Sequence, residues 1–318
     1  MSTMKIAWLF PGQGSQEVGM GRDVATAWPA AKAIFERADA ALVAAGSDPI
    51  SPLCFDGPLE TLTLTENTQP ALVATECAIL AAIREAHPSL PAPTVALGHS
   101  LGEYSALVAA GALTVDDAVR VCRARGRAMQ AAVPAGAGAM AAVLGADEET
   151  IAAACAEASS AGVVSAANFN AHGQIVIAGA AAAVARASEI LSAAGKKTIP
   201  LKVSAPFHSA LMKPAAAVVA RELESVSLGA MSVPVIANVD ATPNDDSNRV
   251  KELLVRQVDA PVQWIKSIER AAELGVTVAI EIGPGKVLAG LVKRIDKRIR
   301  VVSVSDRQGV ESLPAQLG

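Results

Sequence analysis

The sequence predicts an α/β fold: a hydrolase-like, parallel-sheet large domain carrying an inserted ferredoxin-like small domain. Three observations lead there. Apolar runs end abruptly in glycine-rich turns, helical patterns alternate with those runs, and one internal stretch changes to a βαββαβ order. The runs are Lys5–Phe10 before Pro11-Gly12-Gln13-Gly14, Thr94–Leu97 before Gly98, and Val276–Ile282 before Gly283-Pro284-Gly285.

Helical periodicity marks Thr68–Glu85, Leu101–Ala110, Asp116–Ala131, Ser209–Glu224, Ala260–Leu274 and Lys286–Asp296. Asp259 ahead of Pro261 supplies a helix start and Gly275 a stop. Between them the rhythm breaks. Ala139–Leu144, Val163–Ala167, Gln174–Ala178 and Lys197–Val203 read as strands, with helices at Asp147–Ala158 and Ala181–Ala194. Pro134, Gly136 and Gly138 make the hinge into this stretch. The expected organisation is a large domain over residues 1–129 and 201–318, with the small domain at 130–200.

Composition narrows the function. Of 318 residues, 52% are hydrophobic and 18% charged, which describes a folded chain with a sizeable core. The net charge of −4, without a run of Lys or Arg, gives no basic footprint for nucleic acid. The long uncharged stretches are rich in Ala and Gly and lack the Leu, Ile and Phe of a membrane span. Ile6–Phe10 is too short for a signal-peptide core, so a cytoplasmic location is expected. Cys54, Cys77, Cys122 and Cys155 show no paired spacing, which argues against a zinc or redox site.

The strongest chemical signal is Gly98-His99-Ser100-Leu101-Gly102, set between an apolar strand and an apolar helix. A nucleophilic serine needs a sharp turn with small neighbours, and the following helix aims free N–H groups at the reacting oxygen. The Leu101 N–H is the natural oxyanion donor. Only four histidines can serve as base: His87, His99, His172 and His208. His87 precedes Pro88 near a helix end, and His172 sits in a polar turn at Asn168–Gln174. His99 adjoins the serine on a tight turn and points away, which suits packing or hydrogen bonding. His208, in a loop opening a helix, remains by elimination.

Phe10–Gln16 fails as a dinucleotide fingerprint because Glu17 stands where the third glycine belongs. It fails as a phosphate loop because Met20 replaces the lysine. What remains is a loop at a strand end, with Gln13 able to offer a donor into the crevice of Ser100.

Taken in order, FPGQGSQ (10–16), GHSLGEY (98–104), Arg125-Gly126 before Met129-Gln130, PFHSALMK (206–213), Gln257 with Pro261-Val262-Gln263-Trp264, and GPGK (283–286) resemble the malonyl-CoA:acyl-carrier-protein transacylase family over nearly the whole chain. The segment Asp240–Asn248 matches no motif. The resemblance implies ping-pong transfer of malonyl from coenzyme A through Ser100 to the phosphopantetheine thiol of acyl carrier protein, in fatty acid or polyketide biosynthesis. His208 would carry the proton, with Gln13 and the Leu101 N–H holding the oxyanion. It further implies that Arg125 grips the malonyl carboxylate and that Phe207 crowds an α-methyl branch. His99 and Asn168 would line the pocket, and backbone carbonyls near Gln257 would orient His208. The residues alone leave Asp240, Asp259 and Glu281 open as a third triad member. The expected partners are malonyl-CoA and the carrier protein, with no metal, cofactor, nucleic acid or membrane, and with the chain acting as a monomer. A thioesterase or carboxylesterase is the rival within the same chemistry, and a non-catalytic carrier-protein or nucleotide-binding module is the rival outside it.

Overall fold

The structure, a computed structural model, describes residues 4–203 and 205–318. The chain opens with β1 (Ile6–Phe10), followed by α1 (Arg22–Ala27), α2 (Pro29–Ala44), α3 (Ser51–Asp56), α4 (Leu59–Thr63) and α5 (Thr65–Ala86). Next come β2 (Val95–Gly98), α6 (Gly102–Ala110) and α7 (Val115–Ala131). The start of α7 has a direct cause, since the Thr114 hydroxyl accepts the Asp117 N–H at 3.1 Å.

The second sheet follows without interruption: β3 (Gly138–Leu144), α8 (Glu148–Ala158), β4 (Val164–Ala171), β5 (Gln174–Ala180), α9 (Ala181–Ala193) and β6 (Lys197–Pro200). Its order, β4-β5-β3-β6, is antiparallel throughout, and α8 and α9 bury Ile151, Val184 and Leu191 against it. This is the βαββαβ arrangement expected from the sequence.

The chain then returns through α10 (Lys213–Glu224), β7 (Val235–Ile236), β8 (Pro243–Asn244), α11 (Val250–Gln257), α12 (Trp264–Glu273), β9 (Val278–Ile282), α13 (Val287–Ile295), β10 (Arg300–Val304) and α14 (Arg307–Leu317). The large sheet has the order β10-β9-β1-β2-β7-β8 and is parallel except for the short β7–β8 pair. Both faces are covered, which explains why β1 is apolar at every position. Ile6, Trp8 and Phe10 join one core, while Ala7 and Leu9 join the other, beside α12 and α13. Strand periodicity thus divides one short segment between two layers.

Several expectations shift. The helix expected from Ala260 begins only at Trp264. Val262 forms a bridge with β4 instead: its N–H reaches Ala167 O, and its O accepts the Phe169 N–H, both at 2.9 Å. Pairing with β5 carries β4 on to Ala171, so Asn168 lies in a strand and not in a turn. The helix expected from Ser209 starts at Lys213, after a 3₁₀ turn at Ala210–Met212. The strand expected to run to Val203 stops at Pro200.

Candidate active site

The parallel strands β1, β2 and β7 lie side by side, and their carboxyl ends deliver Gln13, Ser100 and Asn238 to one crevice. Ser100 occupies the turn between β2 and α6 with φ 51°, a left-handed conformation uncommon outside glycine. The turn closes so tightly that a Cβ on Gly98 would lie 1.9 Å from backbone atoms of Gly102. One on Gly102 would lie 2.1 Å from Phe10 O. Gly102→Ala is therefore expected to destabilise the fold by about 1–3 kcal/mol or more, as overpacking does, measured as a lowered urea midpoint. An unchanged midpoint would show that β1 and α6 can separate freely.

The Ser100 Oγ lies 2.6 Å from His208 Nε2. His208 is buried, also left-handed at φ 58°, and its Nδ1 lies 3.0 Å from Gln257 O and 3.2 Å from Ala260 O. Carbonyls only accept, so Nδ1 carries the proton and Nε2 presents a lone pair to the serine hydroxyl. Burial, reinforced by the nearby Arg125 charge, holds the imidazole down to about 3. A neutral base results. Among the described residues no carboxylate is hydrogen-bonded to it, and none of Asp240, Asp259 and Glu281 is its partner. Glu281, for example, accepts the Leu288 and Ala289 N–H groups at the start of α13.

Arg125 projects from α7 into the crevice and is 1% exposed. Its Nη2 donates to Ser100 Oγ at 3.1 Å and to Gln257 Oε1 at 2.9 Å, and its Nη1 donates to Gln69 Oε1 at 2.8 Å. The guanidinium also stands 5.6 Å from the Tyr104 ring centre. Its Nε has no partner, and no carboxylate forms an ion pair with it among the described residues. A buried cation with only neutral partners is primed for an incoming anion.

A cavity of about 200 Å³ opens over these groups. Gln13, His99, Ser100, Leu101, Arg125, Asn168, Phe207 and His208 all line it. Gln13 Nε2 donates to Thr65 Oγ1 at 3.2 Å. The Leu101 N–H has no hydrogen-bond partner among the described residues, at the start of α6 where the helix dipole favours negative charge. His99 turns from the serine: its Nε2 lies 2.7 Å from Asn170 Oδ1, and its ring tilts against Trp264. Burial lowers its pKa as well. Met129, Met140, Val176 and Leu201 provide apolar wall. The described residues hold no cluster of His, Cys, Asp and Glu able to bind a metal ion.

Sequence reasoning missed a supporting layer. Asn238 Oδ1 accepts the Ser100 N–H at 2.6 Å, while its Nδ2 donates to Gly98 O at 2.7 Å, stapling the turn. Glu103 and Gln69 were also passed over. A lone acid inside the apolar pattern of α6 was the available signal for Glu103. Asn238 follows a two-residue strand too short to register as one.

A family model described as an acyl transferase domain matches residues 7–312. This chain belongs to the acyl transferase family. A curated relative from Bacillus subtilis (strain 168), named malonyl CoA-acyl carrier protein transacylase, is 48% identical over 309 residues, spanning 96% of this chain and 95% of the relative. A protein of the same name from Escherichia coli (strain K12) is 49% identical over 292 residues, spanning 92% and 93%. Among solved structures, an acyl carrier protein S-malonyltransferase from Vibrio cholerae superposes with a TM-score of 0.92 at 45% identity, over 97% of this chain and 99% of that one. A malonyl-transacylase in complex with a holo type II PKS acyl-carrier protein matches with a TM-score of 0.92 at 43% identity, over 98% and 99%. The family's two-sheet architecture is the one described above.

Proposed function

We propose that this protein is an acyl-carrier-protein S-malonyltransferase working through a malonyl-Ser100 ester. Ser100 Oγ attacks the thioester carbonyl of malonyl-CoA as its proton passes to His208 Nε2. The Leu101 N–H and the Gln13 amide hold the oxyanion. Collapse breaks the C–S bond, and the departing coenzyme A sulfur takes the proton from His208. In the second half the phosphopantetheine thiol of acyl carrier protein gives its proton to His208, attacks the ester, and releases Ser100 with its proton restored. Relatives named for this activity at nearly half identity support the reading. Further parts of the proposal are a large domain at 1–129 and 201–318, a small domain at 130–200, and a monomer acting in the cytoplasm. No described helix is long and apolar enough to cross a membrane.

The observation that carries the substrate choice is Arg125, a buried cation beside the nucleophile with no carboxylate partner of its own. A planar guanidinium grips a carboxylate through two parallel hydrogen bonds. A general esterase has no use for it there. Arg125→Ala is expected to cost malonyl-CoA about 2–5 kcal/mol, roughly 30- to several-thousand-fold in kcat/KM. Acetyl-CoA, lacking the carboxylate, should lose little, and Arg125→Lys should recover only part of the malonyl preference. The check is the ratio of kcat/KM for malonyl-CoA over acetyl-CoA in each variant. A ratio unchanged in Arg125→Ala means the carboxylate is read by other residues.

A further inference from the structure

We propose that Glu103 is a positioning residue for acyl transfer, one carboxylate oxygen fixing both the peptide of the nucleophile and the amide that links Arg125 to the base. The inference rests on the transferase reading above.

Glu103 lies in the first turn of α6 and is 2% exposed. Its Oε2 accepts two hydrogen bonds, from the Asn238 N–H at 3.0 Å and from Gln257 Nε2 at 2.8 Å. Each donor belongs to a residue that holds part of the site. Asn238 binds the Ser100 N–H and the Gly98 carbonyl through its side chain. Gln257 supplies the backbone carbonyl that receives the His208 Nδ1 proton.

The Gln257 side chain carries the second half of the argument, because an amide has a donor end and an acceptor end. Its Nε2 hydrogens go to Glu103 Oε2 and to Ser100 O, both at 2.8 Å. Its Oε1 therefore faces Arg125 Nη2 at 2.9 Å. Turned over, the amide would set oxygen against a carboxylate and a carbonyl, and NH₂ against a guanidinium. An acceptor-only group at position 103 forbids that arrangement and so aims Arg125. Glu103 makes no direct bond to Arg125, whose guanidinium keeps neutral partners only.

Charge at this position has a readable consequence. Glu103 is faced by Arg125 from α7, by Asp240 from the turn between β7 and β8, and by Tyr104 on its own helix. Burial pushes its carboxyl up to about 7, opposed by the bonds from Gln257 and the Asn238 N–H and by Arg125. As pH falls through that value, Glu103 gains a proton, and the oxygen shared by Asn238 and Gln257 weakens as an acceptor. His208, held near 3, does not ionise in this range. The expected consequence is an acid limb of acylation near pH 7 that depends on Glu103.

The experiment measures single-turnover acylation of the 318-residue chain by malonyl-CoA across pH on both sides of that limb, followed by intact mass. Glu103→Gln keeps the shape and removes the charge. It is expected to acylate on the order of 10²-fold more slowly, the scale of a misplaced reacting group, with little change in KM and with the acid limb gone. A merely structural acid would alter stability without moving the pH profile. Wild-type rates in Glu103→Gln, or the same limb persisting in it, overturn the proposal. If that variant does not fold, Glu103→Asp, which keeps the charge but draws the carboxylate back from Asn238 and Gln257, is read in the same assay, and wild-type acylation rates in it overturn the proposal. Ser100→Ala separates the two readings. An adduct retained there defeats the transferase reading, whereas an adduct lost there with Glu103→Gln at full rate defeats only the role of Glu103.

Discussion

After brief exposure to malonyl-CoA the wild-type chain is expected to gain one malonyl group, and Ser100→Ala none. The expectation follows from geometry. Ser100 Oγ meets His208 Nε2 at 2.6 Å and Arg125 Nη2 at 3.1 Å, in a turn whose left-handed φ holds the hydroxyl out of the helix. A backbone held there costs on the order of 1–3 kcal/mol, which the surrounding contacts must offset. The two hydrogen bonds made by the Asn238 side chain hold the turn in place. Intact-mass measurement before and after alkaline cleavage of the ester reads the result. Labelling that survives unchanged in Ser100→Ala would remove the serine from the mechanism.

His208→Ala carries the second large effect, a slowing of acylation by on the order of 10²–10⁴, the usual share of general acid–base catalysis. The imidazole is a neutral base because burial and Arg125 both disfavour its charged form. Its protonation therefore sets no acid limb near its ordinary value of 6.5. The direction is plain: a depressed pKa keeps the base competent as pH falls, until the pH approaches 3. Full activity in His208→Ala, with the loss appearing in His99→Ala, would reverse the assignment of the two histidines.

Much of this site could be read from residues because its parts announce themselves locally. Gly98 and Gly102 flank the serine because backbone atoms leave no room for a Cβ, and that need is visible as a spacing. His208 emerged by elimination because only four histidines exist. The βαββαβ stretch was legible because each strand and helix there forms a short run of its own with turn residues such as Gly145, Gly173 and Gly195 between them. Illegible parts depend on distant contacts. Helix α12 begins late because Val262 is taken by β4, a pairing across nearly a hundred residues that no local pattern encodes. Asn238 and Glu103 are 135 positions apart and meet only in the fold. Helices α1 to α4 and the final β10–α14 pair went unread, several of them too short to show a clear period.

The two carbonyls beneath His208 have a consequence for anyone dissecting the enzyme by substitution. A side-chain carboxylate can be deleted by changing one codon, and its loss then reveals its contribution. Gln257 O and Ala260 O belong to the main chain, and every amino acid placed at 257 or 260 brings a carbonyl with it. Saturation mutagenesis at those positions will report on the side chains alone, on the Gln257 amide above all. The genetic picture will be of a two-residue catalytic unit, while the third support stays hidden. It is exposed only by moving the backbone itself, as a proline or an insertion in the segment 257–260 would.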